Sequence, residues 1–378
     1  MSSLENIVKA AFFTLSPEGF WGLPLLLWGE PGTGKTHLIK AICRRWGLAV
    51  ERLSPGERGE GQFGVVPVPG ADGFLHYPAP AWAGKFSEGG VIFVDELNTS
   101  SPALQASLLG LIQLRTIGSH TFGAHVRTIG AANETSDGAG AWDLAPAINN
   151  RFGHLKVEGL EAHDWITGYL GGWGAAEDDV QDATAEENRV LAAWASAEAV
   201  AKGQIAGFIS RRPDLLHKRP AEGAPDSRAW PSRRSVDYAG AVLASSKIHN
   251  LTETETYDFL GGFVGQAWVG EFHRWRVDAD LPDPADVLDG RVKFEHSAAR
   301  PDRTIAVLAS CAALVAPKTA QNRQARADVA WQIVAQVADT AIDLAAPAAR
   351  ALCAALLFTP ASTKVLVRFQ GLFKAAGV

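Results

Sequence analysis

The chain has 378 residues, 35 Lys and Arg against 41 Asp and Glu, and a formal net charge of −6. That length suggests two or three domains with an ample core, and 47% hydrophobic with 20% charged residues excludes a disordered chain. The acidic balance excludes a protein that holds polyanions by its overall field and disfavours direct nucleic-acid binding, though a local basic stripe stays compatible with it.

The first residues, MSSLENIVKAAFF, carry an acid and lack the basic start and cleavage site of a secretory leader. No stretch reaches the roughly 20 apolar residues that span a bilayer, so no membrane association is expected. Cys43, Cys311 and Cys353 lie far apart with no metal-ligand spacing, which points to a reducing cytoplasm.

Leu23 to Trp28 reads as a buried strand, followed by a glycine loop and a helix from about Lys35 to Trp46. The loop, Gly29-Glu30-Pro31-Gly32-Thr33-Gly34-Lys35-Thr36, fits G-x-x-x-x-G-K-[ST] between strand and helix, the context that motif requires. Its glycines let successive backbone N–H groups converge on phosphate oxygens, and the helix N-terminus adds its positive end. Lys35 suits β/γ-phosphate charge and the Thr36 hydroxyl suits Mg²⁺. The nucleotide-binding stretch runs from Gly29 through His37, whose ring is read as local packing.

From Glu57 to Phe86 the pattern dissolves into Gly and Pro, including Gly59, Gly61 and Gly64, as functional insertions do. Val91 to Val94 is a second buried strand ending in Asp95 and Glu96, where open α/β sheets place their ligands. Asp95 would hold Mg²⁺ through water and Glu96 would polarise the attacking water; the competing reading is an acid pair capping the next helix. Ser101 before Pro102 starts a helix whose Leu104, Leu108, Leu111 and Ile112 share one face. Val126 to Ala132 is a third strand ending at Asn133, placed either to orient that water or to make a turn. Ala147-Ile-Asn-Asn-Arg151-Phe152 offers an arginine before a strand from His154 to Val157, suited to a phosphate or to a surface ion pair.

Beyond about Glu161 helical patterns dominate, interrupted by an acidic loop (Glu177, Asp178, Asp179, Asp182, Glu186, Glu187) read as solvated surface. Arg211, Arg212, His217, Lys218 and Arg219 form a short basic run, read as a solvated or subunit-interface patch. Leu281-Pro-Asp-Pro-Ala-Asp-Val287 reads as a linker, and residues 304–373 as a small helical bundle.

GEPGTGKT, VIFVDELN, GAANET and NNRF, followed by Pro231-Ser-Arg-Arg-Ser235, resemble an AAA+ ATPase of the MoxR type, in the dynein-related AAA subgroup. The resemblance covers roughly residues 1–260. It implies an α/β P-loop AAA+ core, a parallel sheet flanked by helices, then an α-helical lid and an α-helical C-terminal region. The implied boundaries are 1–158, 159–280 and 281–378. By the same resemblance Asn133 matches the first sensor and Arg151 the arginine finger that reaches a neighbouring subunit's nucleotide. Arg234, or the adjacent Arg233, matches the second sensor. With Lys35 and Glu96 these form the implied catalytic set, with Thr36 and Asp95 on the metal. The resemblance further implies ATP and Mg²⁺, a homo-oligomeric and usually hexameric ring, and remodelling of a client with a von Willebrand factor A domain protein. Two other readings stand beside it: a nucleotide-gated assembly module with slow turnover, and the motor subunit of a nucleic-acid-directed defence complex. Such proteins carry an insertion at the position of residues 57–86 and a hairpin, before the first sensor, at that of residues 115–127. Phe63, Phe74, Tyr77 and Trp82 are candidates there for gripping a partner or for packing the insertion.

Overall fold

The computed structural model describes residues 3–57, 63, 66–86, 89–134, 142–171, 180–221 and 228–375. Gly59, Gly61 and Gly64 of the insertion, and Glu177, Asp178 and Asp179 of the acidic stretch, lie outside them. The chain forms two compact units, Met1–Val190 with Arg219–Tyr238 and His249–Gln266, and Leu191–Lys218 with Ala239–Ile248 and Ala267–Val378.

The first unit begins with helix α1 (Ser3–Phe12), strand β1 (Leu25–Trp28), helix α2 (Lys35–Arg45) and strand β2 (Val50–Leu53). A hairpin of β3 (Val68–Pro69) and β4 (Leu75–His76) precedes β5 (Gly90–Val94). Next come α3 (Pro102–Leu109), a second hairpin of β6 (Thr116–Ile117) and β7 (His120–Thr121), and β8 (Val126–Ala132). Short α4 (Pro146–Asn149), β9 (Gly153–Lys156) and α5 (Ala162–Gly171) follow.

The main sheet has the order β2-β5-β8-β1-β9, and every pair in it is parallel. Parallel sheets are covered on both faces and therefore read as continuous apolar runs. β1 (Leu-Leu-Leu-Trp), β5 and β8 are buried at every position. The helix expected after Ser101 forms over Pro102–Leu109, its cap hydroxyl accepting from the Leu104 amide, and continues as a π-helical turn Gly110–Leu114; Leu104, Leu108, Leu111 and Ile112 are all buried. The hairpin expected at residues 115–127 forms as β6 and β7, and the described part of the irregular stretch 57–86 also holds a two-stranded hairpin, β3 and β4.

Two arginines lie inside this unit. Arg127 on β8 is 1% exposed; it donates to the Phe12 and His125 carbonyls and pairs with Glu187. Arg115 donates to Thr128 Oγ1 and to the Gly22 carbonyl, and burial pushes it down to about 10. Glu186 and Glu187 therefore do not belong to a solvated loop. They lie in the first turns of α6 (Ala183–Arg211), where Glu187 is 5% exposed and serves as counter-ion to Arg127.

After α6 the chain forms α7 (Arg233–Ile248), α8 (Glu253–Val264) and α9 (Gln266–Ala279). Helix α8 starts with a capping box between Thr252 and Glu255 and packs on β9. At Gly153 a Cβ would come within 2.4 Å of the Phe263 ring, so glycine is what allows that approach.

The second unit takes residues 191–218 of α6, 239–248 of α7 and 267–279 of α9, then α10 (Pro284–Leu288), α11 (Pro301–Val315), α12 (Arg323–Ala338), α13 (Ile342–Ala354) and α14 (Pro360–Ala375). Phe208 meets Trp268, Phe272 and Trp275, and Trp331 donates to the Leu357 carbonyl at 2.6 Å. The helical tail is present as expected, but the linker read at 281–287 is not. Asp283 caps α10 by accepting from the Ala285 amide, Pro284 takes the first helical position, and Val287 and Leu288 join the tail's core. The same Asp-Pro pair that marks a loop also starts a helix when apolar residues follow at helical spacing.

Candidate nucleotide site

Gly32 and Gly34 adopt φ of 85° and 89°, and a Cβ at either would meet nothing within 4 Å. Left-handed backbone, not crowding, is therefore what requires glycine there, and it turns the loop amides inward. Gly29 is required by space instead: its Cβ would lie 2.5 Å from the Val157 carbonyl.

Lys35 opens α2 and is 8% exposed. Its Nζ donates to the Gly29 carbonyl at 2.7 Å, the Glu30 carbonyl at 2.9 Å and Asn133 Oδ1 at 2.9 Å. Burial lowers its pKa while the fields of Asp95, Glu96 and Glu134 oppose that shift. Thr36 Oγ1 donates to Asp95 Oδ2 at 2.9 Å. Lys35, Thr36, Asp95 and Asn133 thus converge from the loop, β5 and β8, as their spacing in the chain predicts. Glu30, Pro31 and Gly34 are exposed, Thr33 donates to the Glu30 carbonyl, and His37 is exposed on the first turn of α2.

Glu96 follows Asp95 with φ 55°, left-handed for a residue with a side chain. Such strain persists where the surroundings dictate it, commonly at functional sites. Its Oε2 accepts from Ser54 Oγ at 3.3 Å. A hydroxyl beside a carboxylate, both hard oxygen donors, fits Mg²⁺, so the Thr36–Asp95 pair is chemically suited to it.

Four contributors are not evident from motif spacing. Arg52 on β2 donates from Nε to Asp95 Oδ2 at 2.7 Å, and Ser54 lies just beyond that strand. Asn98, 1% exposed, brackets the Asn133 backbone: its Nδ2 donates to the Asn133 carbonyl at 2.9 Å, and its Oδ1 accepts from the Asn133 amide at 3.4 Å. Arg228 pairs with Glu134 through both nitrogens of its fork. Asn98 could have been suspected from its place three residues after Asp95; the others are brought in by tertiary folding.

Arg151 does not join the phosphate cradle. Its Nε donates to Gln113 Oε1 at 2.7 Å and its Nη1 to the Ala147 carbonyl at 2.6 Å. Burial lowers its pKa, and the neighbouring Arg234 lowers it further. Arg234 is half-buried on the first turn of α7, while Arg233 is exposed. Of the four aromatic candidates, Phe63 and Trp82 are buried in the core, and Phe74 and Tyr77 are exposed. In the basic run, Arg212 is paired with Asp214 and Glu271.

A glycine loop between a buried strand and a helix, at the carboxyl edge of a parallel sheet and facing a strand-end acid pair, defines a P-loop ATPase domain. Residues 25–157 match the ATPase family associated with various cellular activities (AAA), so that stretch is similar to an ATP-binding AAA domain. The chain is 28% identical over 157 residues to midasin of Giardia intestinalis, a match covering 39% of this chain and 3% of midasin. It is 32% identical over 114 residues to the replication factor C large subunit of Ignicoccus hospitalis, covering 28% of this chain and 22% of that protein. The matches thus span only a small part of these relatives. A candidate ATPase of Cytophaga hutchinsonii has a similar structure, with a TM-score of 0.49 and 14% identity over 72% of this chain and 88% of that one. Among the described residues no helix is long and apolar enough to cross a membrane.

Proposed function

We propose that the chain is a MoxR-type AAA+ ATPase that hydrolyses ATP to ADP and phosphate in a homo-oligomeric, hexameric ring. Its output is chaperone-like remodelling or maturation of a partner complex, with a von Willebrand factor A domain protein. The observation that carries the reading is the meeting of Lys35, Thr36, Asp95 and Asn133 within hydrogen-bond reach, with Glu96 beside them. The hairpin β6–β7, at the position where such proteins carry one before the first sensor, supports the subgroup.

In this reading the loop amides and Lys35 hold the β- and γ-phosphates. Thr36 and Asp95 hold Mg²⁺, which when bound neutralises charge on the phosphate oxygens. Glu96 accepts hydrogen bonding from the attacking water, and Asn133, fixed by Asn98, orients that water. Ser54 holds the Glu96 carboxylate through Oε2. Arg151 acts on the nucleotide of the adjacent subunit. Arg234, its electrostatic neighbour, is assigned to the nucleotide as the match to the second sensor.

Glu96→Gln is the direct test. ATP binding should stay at the unsubstituted strength while steady-state phosphate release falls by about 10²–10³. Retained turnover would remove Glu96 from the water-activating role.

A further inference from the structure

Arg228 lies between two residues that each adjoin a ligand of Lys35. Its guanidinium carbon is 3.7 Å from the centroid of the Trp28 ring, and Nη1 donates to Glu134 Oε1 at 3.2 Å while Nη2 pairs with Oε2. Trp28 precedes Gly29, and Glu134 follows Asn133. Lys35 Nζ donates to the Gly29 carbonyl and to Asn133 Oδ1. The ring and the carboxylate that hold Arg228 are therefore each one peptide away from an oxygen that holds Lys35. Arg228 stands at the rim of the cradle.

A guanidinium whose two nitrogens face two oxygens is arranged as it would be on a phosphate. The aromatic face below fixes its plane at small entropic cost. The pair is also open to exchange, since the side chains of Arg228 and Glu134 are 36% and 31% exposed. Exposure leaves the pair accessible to an incoming anion, and a phosphate group of higher charge can compete with the carboxylate for the fork. The arginines of the Pro231–Ser235 segment are placed differently: Arg233 is exposed and Arg234 neighbours Arg151.

We propose that Arg228 binds the terminal phosphate of the triphosphate held by its own chain's loop, with Glu134 as its resting partner and Trp28 as its platform. The assignment rests on the ATPase reading and adds to it the residue that distinguishes triphosphate from diphosphate. Arg228 leaves Glu134 when the terminal phosphate arrives and returns when that phosphate is lost. Lys35 and the loop amides keep the β-phosphate in both states. Glu134 therefore competes with the terminal phosphate for one guanidinium. A purely structural pair behaves otherwise, because loss of either partner would then weaken the site in the same direction.

The test titrates the full chain with a fluorescent non-hydrolysable ATP analogue and with fluorescent ADP, each with Mg²⁺. Arg228→Ala should weaken the triphosphate about ten-fold and leave ADP within about two-fold. Glu134→Gln should tighten the triphosphate by about three-fold. Equal loss of both nucleotides in Arg228→Ala, or weaker triphosphate binding in Glu134→Gln, would overturn the assignment. Lys35→Ala separates it from the ATPase reading. If that substitution abolishes binding while Arg228→Ala changes nothing, only the Arg228 assignment falls; if Lys35→Ala binds both nucleotides normally, the ATPase reading falls as well.

Discussion

Lys35 is buried and its ammonium meets three oxygens of its own chain, whereas Arg151 meets only a neutral amide and a backbone carbonyl, beside a second arginine. Three acids, Asp95, Glu96 and Glu134, surround the lysine, while no acid is among the groups that shift Arg151. Charge in the cradle is balanced within one chain. Among the described residues no acid pairs with Arg151 or Arg234; in the proposed ring a neighbouring subunit's phosphate would balance them. The contrast teaches that Lys35 is held by its own chain's oxygens while Arg151 is not, the difference that the proposed ring would use.

The largest effects should separate these two residues. Lys35→Ala should weaken ATP binding about a hundred-fold, measured by equilibrium titration, because a charge-assisted contact and a buried cation are lost together. Arg151→Ala should leave binding nearly unchanged and lower turnover by about 10³ or more, measured by phosphate release. If Arg151→Ala instead abolished binding, the two would serve one nucleotide.

Stability sharpens the same contrast through a third arginine. Arg127→Met leaves Glu187 buried without its guanidinium, so unfolding free energy should fall by about 3–5 kcal/mol in a denaturant titration. Arg151→Ala should cost less than about 1 kcal/mol in the same assay.

A smaller effect comes from His154. Its Nδ1 accepts from Trp28 Nε1 at 2.9 Å, so the proton resides on Nε2, which donates to the Asn149 carbonyl at 2.9 Å. Burial pushes this imidazole down to about 4. Between about pH 6.5 and that value the unfolded chain binds the proton that the folded one refuses. Stability should therefore be full above the unfolded pKa and decline as pH falls, by at most about 3 kcal/mol from this group. His154→Gln should flatten that part of the stability profile; an unchanged slope would assign the pH dependence elsewhere. Ser101→Ala, which removes the cap of α3, should cost about 1 kcal/mol.

How much of this was legible in the sequence follows burial and chain distance. Strands β1, β5 and β8 are buried along their whole length and announce themselves as apolar runs. The phosphate loop and the acid pair are local motifs, so the sequence alone groups Lys35, Thr36, Asp95 and Asn133. Strand β2 has no such signal: it lies at the sheet edge, and Glu51 and Arg52 interrupt its apolar pattern. Arg52 and Ser54 were hidden with it. Arg228 and Glu134 are 94 residues apart, and Arg127 and Glu187 are 60 apart, so only folding brings each pair together. The misread linker at α10 shows the opposite failure, a local signal with two meanings settled by the core beside it.

The central claim is that the cradle and Arg151 serve different nucleotides. Lys35→Ala and Arg151→Ala chains, each inactive alone, should be mixed at equal concentration and assayed for phosphate release. The account predicts activity above the sum of the separate variants, because an intact cradle in an Arg151→Ala subunit then meets an intact Arg151 from a Lys35→Ala neighbour. A mixture that never exceeds that sum would contradict it.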